Sequence, residues 1–163
     1  MRQAGAVPTL VVVRHAQAQN PPGVPDVARP LSERGRRDAA AAGAWLRDNV
    51  DAPGLLVTSP ARRAQETTAG LVGEWDEVPP VVDEERIYEA SLGDLLHVVR
   101  GLDEPRPVVL VGHNPGLSAL VEDLTDHVLE LRTAGIAVVA VPSDWADAGP
   151  REAELVAVHT ARA

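Results

Sequence analysis

Apolar positions along this chain fall into two kinds of run. Leu10-Val11-Val12-Val13, Leu55-Leu56-Val57-Thr58 and Val108-Val109-Leu110-Val111 are short, continuous and rich in β-branched residues. Such runs suit strands that a parallel sheet covers on both faces. Between them, apolar residues recur at helical spacing. Ser32 is a suitable N-cap for a helix reaching Val50, with Ala39, Gly43, Leu46 and Val50 on one stripe and Pro53-Gly54 as its stop. Ser59-Pro60, a cap followed by proline at the first helical position, predicts a helix that fades near Gly73. Ser91 opens a helix carrying Leu92, Leu95, Leu96 and Val99. Asn114-Pro115 repeats the cap-then-proline signal ahead of Leu117, Leu120, Val121 and Leu124. Val78 to Val82 reads as a weak extended segment. Gly135 to Val141 and Ala153 to His159 read as two further strands, with Pro142 to Arg151 forming an antiparallel, hairpin-like connection.

The resulting order, β-α-β-α-α-β-α-β-β, predicts an α/β fold in three layers: a mostly parallel central sheet, an antiparallel strand near the C-terminus, and helices on both faces. The short connections predict one domain spanning residues 1–163. Right-handed crossovers put the C-terminal ends of the first three strands on one edge, which is where ligands bind in open α/β sheets. Arg14-His15, Ser59 to Arg63 and Gly112-His113-Asn114 all sit at such ends.

Composition narrows the functions available. The net charge of −9 argues against a general nucleic-acid binder, which needs a basic face. The chain has no cysteine, which removes disulfides, thiolate metal sites and thiol catalysis. No apolar stretch is long enough to span a membrane, and Met1 to Pro8 has no cleavage-site pattern, so the expected location is the cytoplasm. All 15 basic residues are arginine, a bias that compositional drift explains on its own. Arginine nevertheless suits planar, bidentate binding of a phosphate.

Two histidines and at least two arginines at three strand ends, joined by two helix N-termini, form a natural site for a doubly charged tetrahedral anion. Paired histidines also suit a metal, but Arg14 adjoins one of them and no acidic cluster lies nearby in sequence, so neither a metal nor another cofactor is expected. A neutral imidazole beside a bound phosphoryl group can attack phosphorus, with the other ring nitrogen fixed by a carbonyl or carboxylate. Arginines and the second histidine would stabilise the developing charge, and an acid would protonate the leaving group.

The chain resembles the histidine phosphatase superfamily, with its phosphoglycerate mutase-like fold, and within it the bacterial phosphohistidine phosphatase branch. The resemblance is carried by Val13-Arg14-His15-Ala16, Arg29 to Gly35, Ser59 to Thr67, Ile87 to Ala90 and Val111 to Gly116, in that order across nearly the whole chain. It implies that His15 is the phosphorylated nucleophile, Arg14 its phosphate-binding neighbour, Arg62 the second pocket arginine and His113 the second pocket histidine. Glu85 falls in the stretch where mutase-like members keep a proton donor, with Glu84, Asp83 or no carboxylate at all as alternatives. Arg29, Gln17 and Asn114 complete the expected substrate-binding set. The substrate so implied is a phosphorylated protein bearing phosphohistidine, because short connections leave the site open. A small phosphate ester, a mutase-like reaction and a non-catalytic phosphate-binding module are the alternatives.

Overall fold

The computed structural model describes residues 7–163; residues 1–6, part of the stretch read as lacking a leader, lie outside them. Six strands form one sheet in the order β3-β2-β4-β1-β5-β6. They are β1 (Thr9–Arg14), β2 (Leu55–Thr58), β3 (Val81–Asp83), β4 (Val108–Gly112), β5 (Gly135–Ala140) and β6 (Glu154–Thr160). The first four run parallel, with β1 paired to β4 from Leu10↔Val108 to Arg14↔Gly112. β5 is antiparallel to both β1 and β6. Among the described residues the four α-helices are α1 (Glu33–Asn49), α2 (Arg62–Val72), α3 (Leu92–Arg100) and α4 (Gly116–Thr125). Among the described residues no helix is long and apolar enough to cross a membrane.

Alternation along the strands sorts the core into two layers. Val11, Val13, Leu56, Val109, Val111 and Ile136 meet α1 and α2 on one face. Leu10, Val12, Leu110 and Val139 meet α3 and α4 on the other. The sandwich expected from the sequence is therefore present. On the first face, small residues bring α1 and α2 close. A Cβ added at Gly43 would stand 2.5 Å from the Leu71 carbonyl oxygen, and one at Gly70 would stand 2.7 Å from Ala39 Cβ.

Helix starts show where local signals yield to other demands. Ser32 caps α1 by accepting from Gly35 N, and Ser91 caps α3 in a reciprocal capping box with Asp94, both as expected. Ser59 does not cap α2: the helix begins at Arg62 after Ala61, and the Ser59 hydroxyl is turned to His113. α4 likewise begins one residue later than its proline signal, at Gly116, although Asn114 Oδ1 still accepts from Ser118 N. The weak extended segment is a strand only from Val81. Pro79 and Pro80 have no N–H for a ladder, and the Pro80 carbonyl serves only to accept from Leu56 N.

Candidate active site

The parallel strands deliver their chemistry at adjacent carboxyl ends. His15 N donates to Gly112 O, Ser59 N to Val111 O and Glu84 N to Thr58 O. His15 and His113 follow the central pair β1 and β4, and their ring centroids are 5.2 Å apart. Behind them, Ala16 N donates to the Thr67 hydroxyl of α2, and Ala134 N to the His15 carbonyl. The nucleophile candidate thus has its backbone pinned from α2 and from the approach to β5.

His15 is buried, and its Nδ1 lies 2.8 Å from the Ala16 carbonyl oxygen. A carbonyl only accepts, so Nδ1 carries the proton and Nε2 keeps its lone pair. Burial pushes the His15 pKa down to about 4; the Ala16 bond opposes this, while Arg63, Arg14 and Arg29 reinforce it. Burial likewise lowers His113 to about 3, with His15, Arg63 and Arg14 acting in the same direction and Asp26 opposing. Both imidazoles are therefore neutral at physiological pH.

Ser59 Oγ lies 2.7 Å from His113 Nε2 while accepting from Ala61 N. His113 Nδ1, Arg14 Nε and Arg63 Nε are each buried without a hydrogen-bond partner among the described residues. Leaving a buried donor unpaired costs about 1–3 kcal/mol, so the two arginine N–H groups favour an acceptor-rich anion at this site.

The remaining expected residues divide. Arg14 is held by a bond from Nη1 to Leu131 O, and burial lowers its pKa. Arg29 comes to the mouth, donating to Gln19 O and Asp26 Oδ1, and its charge acts on His15. Asn114 braces the wall, with Nδ2 on Leu131 O and Oδ1 shared by Ser118 N and Oγ. Gln17 turns to α1, where its side chain accepts from Ser32 Oγ, so it is not brought to the imidazoles. Glu85 is exposed at the head of a 3-10 turn, and among the described residues no hydrogen bond or ion pair joins its carboxylate to the site. Glu84 pairs with Arg86, and Asp83 accepts from Gln65.

Arg62 requires a correction. Its side chain is exposed and paired with Glu66, because it lies on the outer face of α2. The neighbouring Arg63 is the buried one, and its charge reaches both imidazoles. Helical spacing carries the signal: Arg63, Thr67 and Leu71 make a single buried stripe that leaves Arg62 outside. Sequence reasoning also passed over Ser59 as a partner of His113, and over Asp26 and Tyr88. Tyr88 meets the His113 ring edge-on at 5.6 Å. Among the described residues no three His, Asp or Glu side chains gather to hold a metal ion.

Residues 10–104 match the sequence model of the histidine phosphatase superfamily (branch 1). An uncharacterized protein of Mycobacterium tuberculosis (strain ATCC 25618 / H37Rv) is 36% identical over 162 residues, covering 92% of this chain and 100% of that protein. Among solved structures, a candidate phosphohistidine phosphatase SixA from Nakamurella multipartitia superposes with a TM-score of 0.86 at 30% identity, covering 96% of this chain and 98% of that one. A mycobacterial glucosyl-3-phosphoglycerate phosphatase shares the fold, with a TM-score of 0.66 at 24% identity over 94% of this chain and 98% of that one.

Proposed function

Because this chain belongs to the histidine phosphatase superfamily, we propose that it hydrolyses phosphohistidine on another protein through a covalent intermediate on His15. One observation carries the reading: a neutral His15 with its lone pair on Nε2 sits beside two buried arginine N–H groups, Arg14 Nε and Arg63 Nε, that have no hydrogen-bond partner among the described residues. Those donors suit the equatorial oxygens of a phosphoryl group in transfer.

In the first step the substrate imidazole takes a proton from solvent on its free nitrogen, His15 Nε2 attacks phosphorus, the bond from phosphorus to the substrate ring breaks, and that ring leaves as neutral imidazole. In the second, water attacks phosphorus, the bond to Nε2 breaks, and phosphate departs with His15 restored. Arg63 and Arg14 offset the charge in both steps. A phosphorylated imidazole fits this site better than an alkyl ester does. Among the described residues no carboxylate touches either imidazole, and Asp26 is kept ionised by Tyr88, Arg29 and Arg63. An ester needs a strong proton donor for its alkoxide, whereas a protonated imidazole leaves readily. The similarity to the candidate phosphohistidine phosphatase supports the same choice.

The test uses rapid quenching with a protein domain labelled on phosphohistidine, run beside phosphoglycerates and sugar phosphates. Acid-labile label should appear transiently on His15, and His15→Ala should neither label nor turn over. Normal turnover by His15→Ala would remove the assigned nucleophile. A higher kcat/KM for the small esters would replace the proposed substrate class, and a wild-type protein that never releases phosphate would leave a binding module.

A further inference from the structure

We infer that Asp26 is a positioning residue, whose carboxylate fixes Arg63 and Tyr88 around the phosphoryl pocket and so joins the first loop to both walls of the site. This rests on the reading of the pocket given above. Asp26 opens a 3-10 turn, Asp26–Ala28, in the loop between β1 and α1. Its Oδ2 accepts from Arg63 Nη2 at 3.1 Å and from the Tyr88 hydroxyl at 2.5 Å; its Oδ1 accepts from Arg29 Nη1 at 3.1 Å. Its backbone carbonyl takes Arg63 Nη1 at 2.8 Å. One short segment therefore gathers donors from the loop itself, from the first turn of α2 and from the connection between β3 and α3.

The consequence for Arg63 follows from its burial. The side chain is 8% exposed, and both of its terminal nitrogens are held by Asp26. A buried guanidinium without its counter-charge is strongly disfavoured, and it would swing towards water. With Asp26 in place, the guanidinium plane is set and Nε is left to meet an oxyanion. The consequence for His113 runs through Tyr88, whose ring stands at 78° to the imidazole while its hydroxyl is held by Asp26. Asp26 does not act as the acid, since three donors stabilise its charged form and hold its pKa well below the carboxylate range.

Asp26→Asn keeps the shape and removes the charge; Asp26→Ala removes both. Each should lower kcat/KM for a phosphohistidine protein about 10²-fold, the scale expected when a binding group is misplaced by about 1 Å. Each should also weaken binding of vanadate about tenfold, read without turnover. In the double variant with Arg63→Ala, the losses should fall well short of multiplying, because the route through Arg63 is already gone and only that through Tyr88 remains. Tyr88 is the chain's only tyrosine, so its ionisation can be followed by ultraviolet absorbance. The Asp26 hydrogen bond raises its pKa, and Asp26→Asn should bring it back down. Vanadate binding unchanged in both variants, losses that multiply with Arg63→Ala, or an unmoved Tyr88 titration would each overturn the inference. If the wild type fails to hydrolyse phosphohistidine but Asp26→Asn still weakens vanadate in an Arg63-dependent way, the proposed substrate falls and the role of Asp26 stands.

Discussion

The two faces of the sheet are filled by different chemistry. Beneath α1 and α2, alanine and glycine bring the layers together, and Asp38, Arg63, Thr67 and Thr68 are buried among them. Beneath α3 and α4 the contacts are mostly leucine and valine: Leu95, Val98, Val99, Leu117, Leu120, Val121 and Leu124. The first face spends positions on hydrogen bonds that reach the site, with Thr67 Oγ1 accepting from Ala16 N, the half-buried Glu66 accepting from Leu31 N, and Arg63 bound to Asp26. The second supplies apolar area, worth about 25 cal/mol per Å² removed from water. Geometry and stability are thus divided between the faces, and substitutions on each should separate the two properties.

Arg63→Ala gives the largest separation. On the proposed mechanism, removing Arg63 as a phosphoryl donor should lower kcat/KM for phosphohistidine hydrolysis about 10³-fold. The urea midpoint should move little by comparison, because the Asp26 carboxylate left behind is 53% exposed and remains hydrated. Steady-state kinetics and urea titration on one preparation check both halves. Equal damage to fold and activity would break the distinction between the faces.

Leu120→Ala is the mirror experiment. Leu120 is fully buried against the α3 and α4 layer, and its truncation should cost about 3 kcal/mol in unfolding free energy. Well below the unfolding midpoint, kcat/KM should stay within about threefold of wild type, since the apolar cluster that holds Leu120 includes none of the site's histidines or arginines. A large fall in kcat/KM for a protein that is fully folded by circular dichroism would show that this face also sets the site.

The protonation of the two histidines sharpens the contrast further. His15 and His113 fall from 6.5 in a free side chain to about 4 and about 3 in the fold, chiefly through burial. Between those values the unfolded chain binds more protons, so stability is fully present above about pH 6.5 and is lost as pH falls through 4 and then 3. In the free protein, NMR titration should show the His15 ring still neutral at pH 5.5. Denaturant midpoints should decline from pH 7 towards pH 4. A His15 ring that protonates near 6.5 would mean that it is solvated rather than buried, and the neutral nucleophile would be lost.

Much of this arrangement was open to inspection in the chain itself. β1 and β4 are buried on both faces, so their unbroken valine and leucine runs are strong signals, and His15 and His113 follow directly from where those runs stop. β3 was legible only as a weak segment because its residues are exposed and its approach is Pro79-Pro80. Assigning the pocket arginine to position 62 missed by one residue, and on a helix one residue is a rotation of about 100°. Asp26 left no trace in the sequence: a loop of proline, glycine and alanine has no period, and its partners Arg63 and Tyr88 lie 37 and 62 positions away.

Arg62→Ala carries the smallest expected effect and is the most direct check of that rotation. The exposed Arg62 Nε donates to Glu66 Oε2 at 3.2 Å across one helical turn. Such surface pairs contribute about 0.3–0.5 kcal/mol. The other oxygen of Glu66 holds Leu31 N at 2.7 Å, so the loop contact survives the substitution. The denaturant midpoint should shift barely beyond error, and kcat/KM should stay within about twofold, where the adjacent Arg63→Ala loses about 10³-fold. Two neighbouring arginines would then differ several-hundredfold because one faces the sheet and the other faces water. If Arg62→Ala instead shows the large loss and Arg63→Ala the small one, α2 is rotated in the working enzyme, and the charged wall of the site must be rebuilt around Arg62 and Glu66.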